Sequence, residues 1–302
     1  MGQIRSLVQD GISIAKSDDA GGALKSKLAD HGAKIAEGLS KTVVSPFVDY
    51  VETSARAGDS LAGSSYEILA VKAYDNAGQR DGYFFNQLGF SYFDHRKTVN
   101  LGIGYRQFML NKKLLFGVNS FYDHEFPNDH KRWGFGFEAK SSIFGFGFNR
   151  YLGLSDYRED RSGTDSKALD GMDIRAELAL PYFPGAKINY NYFAWEGDGT
   201  AADLSGEKLS LRGQLFKNLT IDAGRTFYKN DARDDDNWVK ISFTWALNQK
   251  DTGPSMFQVA DTAYSFKEID YERYRPVRRE NKIIKQKNSQ RKLRGTREYE
   301  TV

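Results

Sequence analysis

The chain has 302 residues, a formal net charge of +3 and no cysteine, which excludes a disulfide framework and a thiolate metal site. Hydrophobic residues make up 40% and aromatic residues 14%, with a mean hydropathy of −0.60, so rings carry much of the apolar surface and polar residues separate them. No run approaches the roughly 18 apolar residues of a spanning helix, which excludes an α-helical membrane protein. The charge is unevenly placed: residues 271–302 hold eleven Lys or Arg and four Glu, net +7, leaving the first 270 residues at −4.

Residues 1–60 read as helix and loop. Leu24, Leu28, Ile35 and Leu39 form a helical stripe interrupted by glycines. The start, MGQIRSLVQDGISIAKSDD, lacks the basic region and continuous apolar stretch of a signal peptide, and none is expected there. Gly2 and Ser6 fit a myristoylation pattern too short to carry weight.

From Tyr66 to Leu247 the period falls to two, in segments of about ten residues separated by turn residues. KTVNLGIGYRQFM sets Val99, Leu101, Ile103 and Tyr105 against Asn100, Gly102, Gly104 and Arg106. RWGFGFEAKSSIFGFGFNR sets Trp133, Phe135, Phe137, Phe144, Phe146 and Phe148 against Gly134, Gly136, Glu138, Gly145, Gly147 and Asn149. GMDIRAELAL opposes Met172, Ile174, Ala176, Leu178 and Leu180 to Asp173, Arg175 and Glu177, and NWVKISFTWAL continues the pattern. Similar faces lie near 84–93, 114–122, 187–195, 208–216 and 219–228, giving about eleven segments, with a possible further one near 256–266.

Large rings on one face and glycine with polar residues on the other is the dyad pattern of an outer-membrane barrel, lipid-facing outside and polar in the lumen. Ten-residue strands also have the length to cross hydrocarbon at a tilt. Phe121 with Tyr122, and Tyr182 with Phe183, are expected at interface height. Arg225 shares its parity with Ile221 and Ala223 and breaks the pattern. Residues 156–170, 197–207 and 230–237 read as loops. Beyond Ile269 the chain becomes basic and polar, and is expected to be helical in part.

Chemistry-bearing clusters are few. Asp123, His124, Glu125, Asp129 and His130 are metal-ligand types close in sequence, but the plain reading is a polar turn. Asp234–Asp236 reads as solvated loop charge. Ser155 sits in no nucleophile elbow and has no histidine near it in sequence. The glycine-rich strands lack the strand–glycine–helix context of a phosphate loop. No cofactor, metal site or enzymatic activity is expected.

The stretch FNQLGFSYFDHRKTVNLGIGYRQFMLNKKLLFGVNSFYDHEF, residues 85–126, resembles the β-domain of the intimin and invasin family, the inverse autotransporters. KRWGFGFEA, FNRYLGLSDY, GMDIRAELALPYFPGAKINYNYFAWEGD and RYRPVRRENKII follow in the family's order, so the resemblance covers about residues 66–287. It implies an all-β, outer-membrane barrel of about 12 antiparallel strands. Residues 1–60 would be a short helical, periplasmic N-terminal segment, 61–268 the barrel, and 269–302 a basic linker that threads the pore and a tail. It also implies a translocator that anchors and exports a C-terminal passenger, assembled with periplasmic chaperones and barrel-assembly machinery. Within the lumen, Arg273, Arg275, Arg278, Arg279 and Lys282 would line the linker and face Glu138, Asp173 and Glu177. The chain is expected to lack the adhesive domains of the family. The alternatives are a stand-alone porin-like barrel plugged by its own tail, and a soluble β-protein whose basic tail binds nucleic acid, which the exposed rings disfavour.

Overall fold

The computed structural model describes residues 47–58, 65–76, 78–159, 165–199, 203–229, 233–247 and 253–287. In chain order the strands are β1 (Tyr50–Gly58), β2 (Ser65–Ala73), β3 (Gly82–Phe93), β4 (Arg96–Met109), β5 (Leu114–Phe126), β6 (His130–Lys140) and β7 (Phe144–Gly153). A short hairpin follows, β8 (Arg158–Glu159) and β9 (Asp165–Ala168), and then β10 (Gly171–Leu180), β11 (Phe183–Trp195), β12 (Leu204–Phe216), β13 (Leu219–Tyr228), β14 (Asp236–Ala246) and the terminal β15 (Lys285–Lys287). Twelve of these, β1–β7 and β10–β14, form a closed antiparallel barrel, sealed where Thr53 on β1 meets Phe243 on β14. Closure leaves no sheet edge, the condition for strands to lie in lipid.

The period-two pattern sets the faces. Along β4, Thr98, Asn100, Arg106 and Phe108 are buried, while Leu101, Ile103 and Met109 are exposed. Strands of 9–14 residues, at about 3.3 Å per residue and tilted about 40°, have about the length of the roughly 25 Å apolar band of such barrels. Arg225 does point outward, near the end of β13, where it pairs with Asp235 at 3.1 Å. Tyr182 and Phe183 sit exposed at the β10–β11 turn, whereas Phe121 is buried to 1%. It shares its face with Asp123 and Glu125, so the alternation carries its ring inward.

Some of the lumenal glycines are explained by such rings. A Cβ at Gly102 would overlap Phe121, one at Gly104 would overlap Phe85 and one at Gly171 would overlap Trp195, so these are seats for aromatic side chains of the adjacent strand. Gly117 and Gly136 instead make room for Glu138 and for Asn119 and Asn149.

Two segments differ from the sequence expectation. The barrel begins at Tyr50, inside the stretch read as helix and loop, because outward residues Val51, Thr53, Ala55 and Ala57 are too small to show as an apolar face. Residues 256–266 form no strand; they run as a strap across one end of the barrel. The stripe Leu24–Leu39 lies outside the described residues. A 3-10 turn, Asp270–Glu272, is the helical element of the linker among the described residues.

The two barrel ends differ. Connections 110–113, 141–143, 181–182 and 217–218 are short, and the end that carries them is the turn end. The turn end also carries one longer connection, 74–81, whereas the opposite, loop end holds the longest, 154–170, with 196–203 and 229–235, beside the tight turns 94–95 and 127–129.

Candidate functional site

After β14 the chain stays at the turn end and is tied to successive rim turns. Met256 N donates to Gln214 O (2.7 Å), Ala260 N to Tyr182 O (2.8 Å), Ser142 Oγ to Ser265 O (2.8 Å) and Ile269 N to Lys112 O (2.9 Å). The linker then turns into the lumen and runs its length.

Arg273, 1% exposed, marks the way in. Its guanidinium donates to Arg80 O (2.6 Å), Asp75 (3.3 Å) and Asp270 (2.7 Å), and lies 4.8 Å over the Phe108 ring. Arg275 pairs with Glu272 (3.3 Å) and donates to Gln214 (3.1 Å). At mid-lumen Arg278 grips Glu52 through bonds of 2.6 and 2.9 Å. Arg279 grips Asp123 through bonds of 2.8 and 2.7 Å and covers the Phe121 ring at 4.3 Å. Such bidentate forks add geometric specificity to the charge. Lys282 stands 4.0 Å from Glu280 and 4.3 Å over the Phe93 ring.

The wall also holds the linker by its backbone. Tyr83 and Arg106 each donate to Arg273 O at 2.8 Å. Asn149 donates to Arg278 O (3.2 Å), Arg132 to Glu280 O (2.6 Å) and Lys282 O (2.9 Å), Asn100 to Asn281 O (2.9 Å), and Arg96 to Ile283 O (3.1 Å). The wall donors, on β3, β4, β6 and β7, point at carbonyls that an extended chain cannot satisfy itself.

At the loop end the linker is clamped. Lys285, Gln286 and Lys287 pair with Ala168, Lys167 and Ser166 of β9. Gln286 accepts from Asp198 N (2.7 Å) and donates to Asp198 O (3.2 Å), and Lys285 reaches Glu125 at 2.8 Å.

The five linker cations named from the sequence therefore lie in the lumen, but not against the acids expected. Glu138 binds Arg106 (2.7 Å) and Lys140 (3.0 Å). Asp173 binds Arg175 (2.9 Å), Tyr151 (2.5 Å) and Asn149 (3.0 Å), and Glu177 binds Arg212 (2.9 Å) and Lys187 (3.4 Å). All three are wall-to-wall partners. Besides Glu67, which accepts from Asn281, and Glu125, which meets Lys285, the acids outside the linker that hold it are Glu52, Asp75 and Asp123. Glu52 lay in the unread first strand, and Asp123 was grouped with a sequence cluster that the fold disperses. The inward pair Asp123 and Glu125 is separated by the strand wall from His124, which stacks outside on Phe126 at 4.3 Å and stays 2.8 Å from Asp129 in the turn. Among the described residues no group of three or more His, Cys, Asp or Glu is placed to hold a metal.

The fold also brings His130 to Ser155, with Nδ1 3.2 Å from Oγ, a contact that sequence distance concealed. Nε2 lies 3.0 Å from Ser166 Oγ, and all three residues are buried. The cluster ties the β7–β10 connection to β6.

Residues 7–281 match the family described as "Inverse autotransporter, beta-domain". The chain belongs to the inverse autotransporter β-domain family. Among the relatives this β-domain resembles are Intimin of Escherichia coli O157:H7, 28% identical over 77% of the chain and 25% of that protein, and Intimin of Escherichia coli O111:H-, 34% identical over 50% of the chain and 16% of that protein. The chain thus spans a quarter or less of the length of these relatives. A solved structure from "Unveiling the Mechanism Behind the in-meso Crystallization of Membrane Proteins" shares the fold, with a TM-score of 0.66 at 20% identity over 79% of this chain and 100% of that one. As an inverse autotransporter β-domain with lipid-facing rings, it resides in the bacterial outer membrane.

Proposed function

We propose that this β-domain is the translocator and anchor of a passenger lying C-terminal to the linker, a structural and transport role without catalysis. The turn end faces the periplasm and the loop end the cell surface, matching the short and long connections. The observation that carries the reading is the row of wall donors on linker carbonyls. Every residue has a carbonyl, so such a row accommodates extended polypeptide largely independently of side chains, as a path for exported chain requires. The arginine–carboxylate forks then fix the register at which transit stops, and pairing with β9 holds the emerged segment outside. Periplasmic chaperones and barrel-assembly machinery would deliver and insert the barrel.

The test is a folded reporter fused after the tail, with cells expressing the protein in the outer membrane. External protease should release the reporter from intact cells. A reporter that stays protected, with the barrel itself correctly inserted, contradicts export and favours a stand-alone barrel plugged by its own tail.

A further inference from the structure

The strap between β14 and the lumen crosses the barrel rim. Gly253 and Pro254 lie on the lumenal side: a Cβ at Gly253 would press on Tyr271 and Arg275, and Pro254 lines a cleft with Glu272 and Arg275. Ser255 then passes beneath the ends of β11 and β12. Its Oγ donates to Gln214 O and Leu215 O, both at 3.2 Å, and a Cβ at Gly185 would overlap its backbone. Met256 emerges on the other face. In the pairing of β11 with β12, Ala186 opposes Gly213, Ile188 opposes Leu211 and Tyr190 opposes Leu209, so these positions share one face of the sheet. Ile188, Tyr190, Leu209 and Leu211 are exposed to lipid there, yet Ala186 is only 4% exposed and Gly213 is buried. Met256 supplies the cover, since a Cβ at Gly213 would overlap its sulfur.

From that outer position the strap brackets the β10–β11 turn. Tyr182 O accepts from Ala260 N at 2.8 Å, and Tyr182 N donates to Ala263 O at 3.0 Å. Two apolar pairs flank the bracket, Phe257 with Val259 and Tyr264 with Phe266, and all four are exposed, Phe257 and Val259 by 65% and 66%. Residues 256–266 carry a single charge, Asp261. The rim beside them bears exposed Tyr182, Phe183 and Phe216, the position of an aromatic girdle. The strap's apolar side chains therefore continue the lipid-facing surface, at the headgroup level where aromatic rings are favoured.

We propose that the strap, residues 256–266, is an interfacial membrane element, with Phe257, Val259, Tyr264 and Phe266 seated in the phospholipid leaflet at the turn end. The barrel holds the strap by its backbone and the bilayer holds it by its side chains. Together they fix the point at which the chain turns into the lumen at Ile269. The inference does not rest on export of a passenger.

The experiment is spin-label accessibility in the full chain, refolded into vesicles of phosphatidylethanolamine and phosphatidylglycerol. Because the chain has no cysteine, single nitroxides can be attached at Val259→Cys and Tyr264→Cys. Ile241→Cys, on the outward face of β14, and Glu159→Cys, exposed at the loop end, serve as lipid and water references. Gel mobility with and without boiling checks that each variant is folded. An interfacial side chain sits about 5–10 Å into the headgroup boundary, so at both strap positions the ratio of collisions with oxygen to collisions with a water-soluble nickel chelate should be roughly threefold or more above that at Glu159. A ratio at the Glu159 level at either position would show that the strap faces water. Low collision with both reagents would show that protein covers it, as in pairing with a second copy. Either result would overturn the proposal.

Discussion

Arg279 and Asp123 meet head-on inside the barrel, two parallel hydrogen bonds of 2.8 and 2.7 Å between side chains that are 1% and 0% exposed. Asp123 is also the partner of Arg132, at 2.8 Å. One carboxylate thus balances one linker cation and one wall cation, and its removal leaves two buried charges without it.

Asp123→Ala should therefore loosen the linker. Breaking a buried pair by deleting one partner costs about 3–5 kcal/mol. Hydrogen exchange at linker amides 277–283 should rise, and the temperature at which the compact gel band converts to the unfolded one should fall. Glu177→Ala, which removes a partner only of wall residues, should leave exchange in the linker near the wild-type level.

Gly102 tests the seat for a ring. Gly102→Ala places a methyl group against Phe121, which is itself covered by Arg279. Overpacking of this kind costs about 1–3 kcal/mol. The unfolding temperature should fall, and Phe121→Leu in the same chain should recover part of the loss; purely additive effects would contradict direct contact.

The exit clamp has its own signature. Gln286→Ala removes both bonds to Asp198, an expected loss of about 1 kcal/mol per bond. Exchange should accelerate at the Asp198 amide and across Lys285–Lys287, and barrel unfolding should barely change. Faster exchange throughout the barrel would show that the clamp is part of the global fold instead.

The outer face is tested by depth. Phe135, 47% exposed at the middle of β6, faces the bilayer core, whereas Phe126, 45% exposed, ends β5 near the loop rim. Phe135→Arg should destabilise the barrel in lipid by about 2–4 kcal/mol, and Phe126→Arg by about 0–1. Equal costs in vesicles, measured by urea unfolding, would mean that lipid does not cover Phe135.

The barrel was legible because rings and small polar residues alternate along most strands. β1 escaped because its outward residues are small. Conversely, Phe257, Val259, Tyr264 and Phe266 gave residues 256–266 a strand-like look, but these backbones bond rim turns rather than a neighbouring strand. Glu138, Asp173 and Glu177 share the inward parity of their strands. Which of the inward acids the linker meets depends on where it leans across the lumen, and on wall cations such as Arg106, Arg175 and Arg212 that claim the expected ones first. Local sequence carries no record of that competition.

The central claim is that the linker crosses the membrane inside the barrel, from the turn end to the loop end. Because the chain has no cysteine, single-cysteine variants give a clean map of it. With the protein in the outer membrane of intact cells, a membrane-impermeant maleimide should label Lys287→Cys readily and Lys267→Cys only after the outer membrane is permeabilised. Labelling of both from the same side would place the linker outside the lumen and contradict the account.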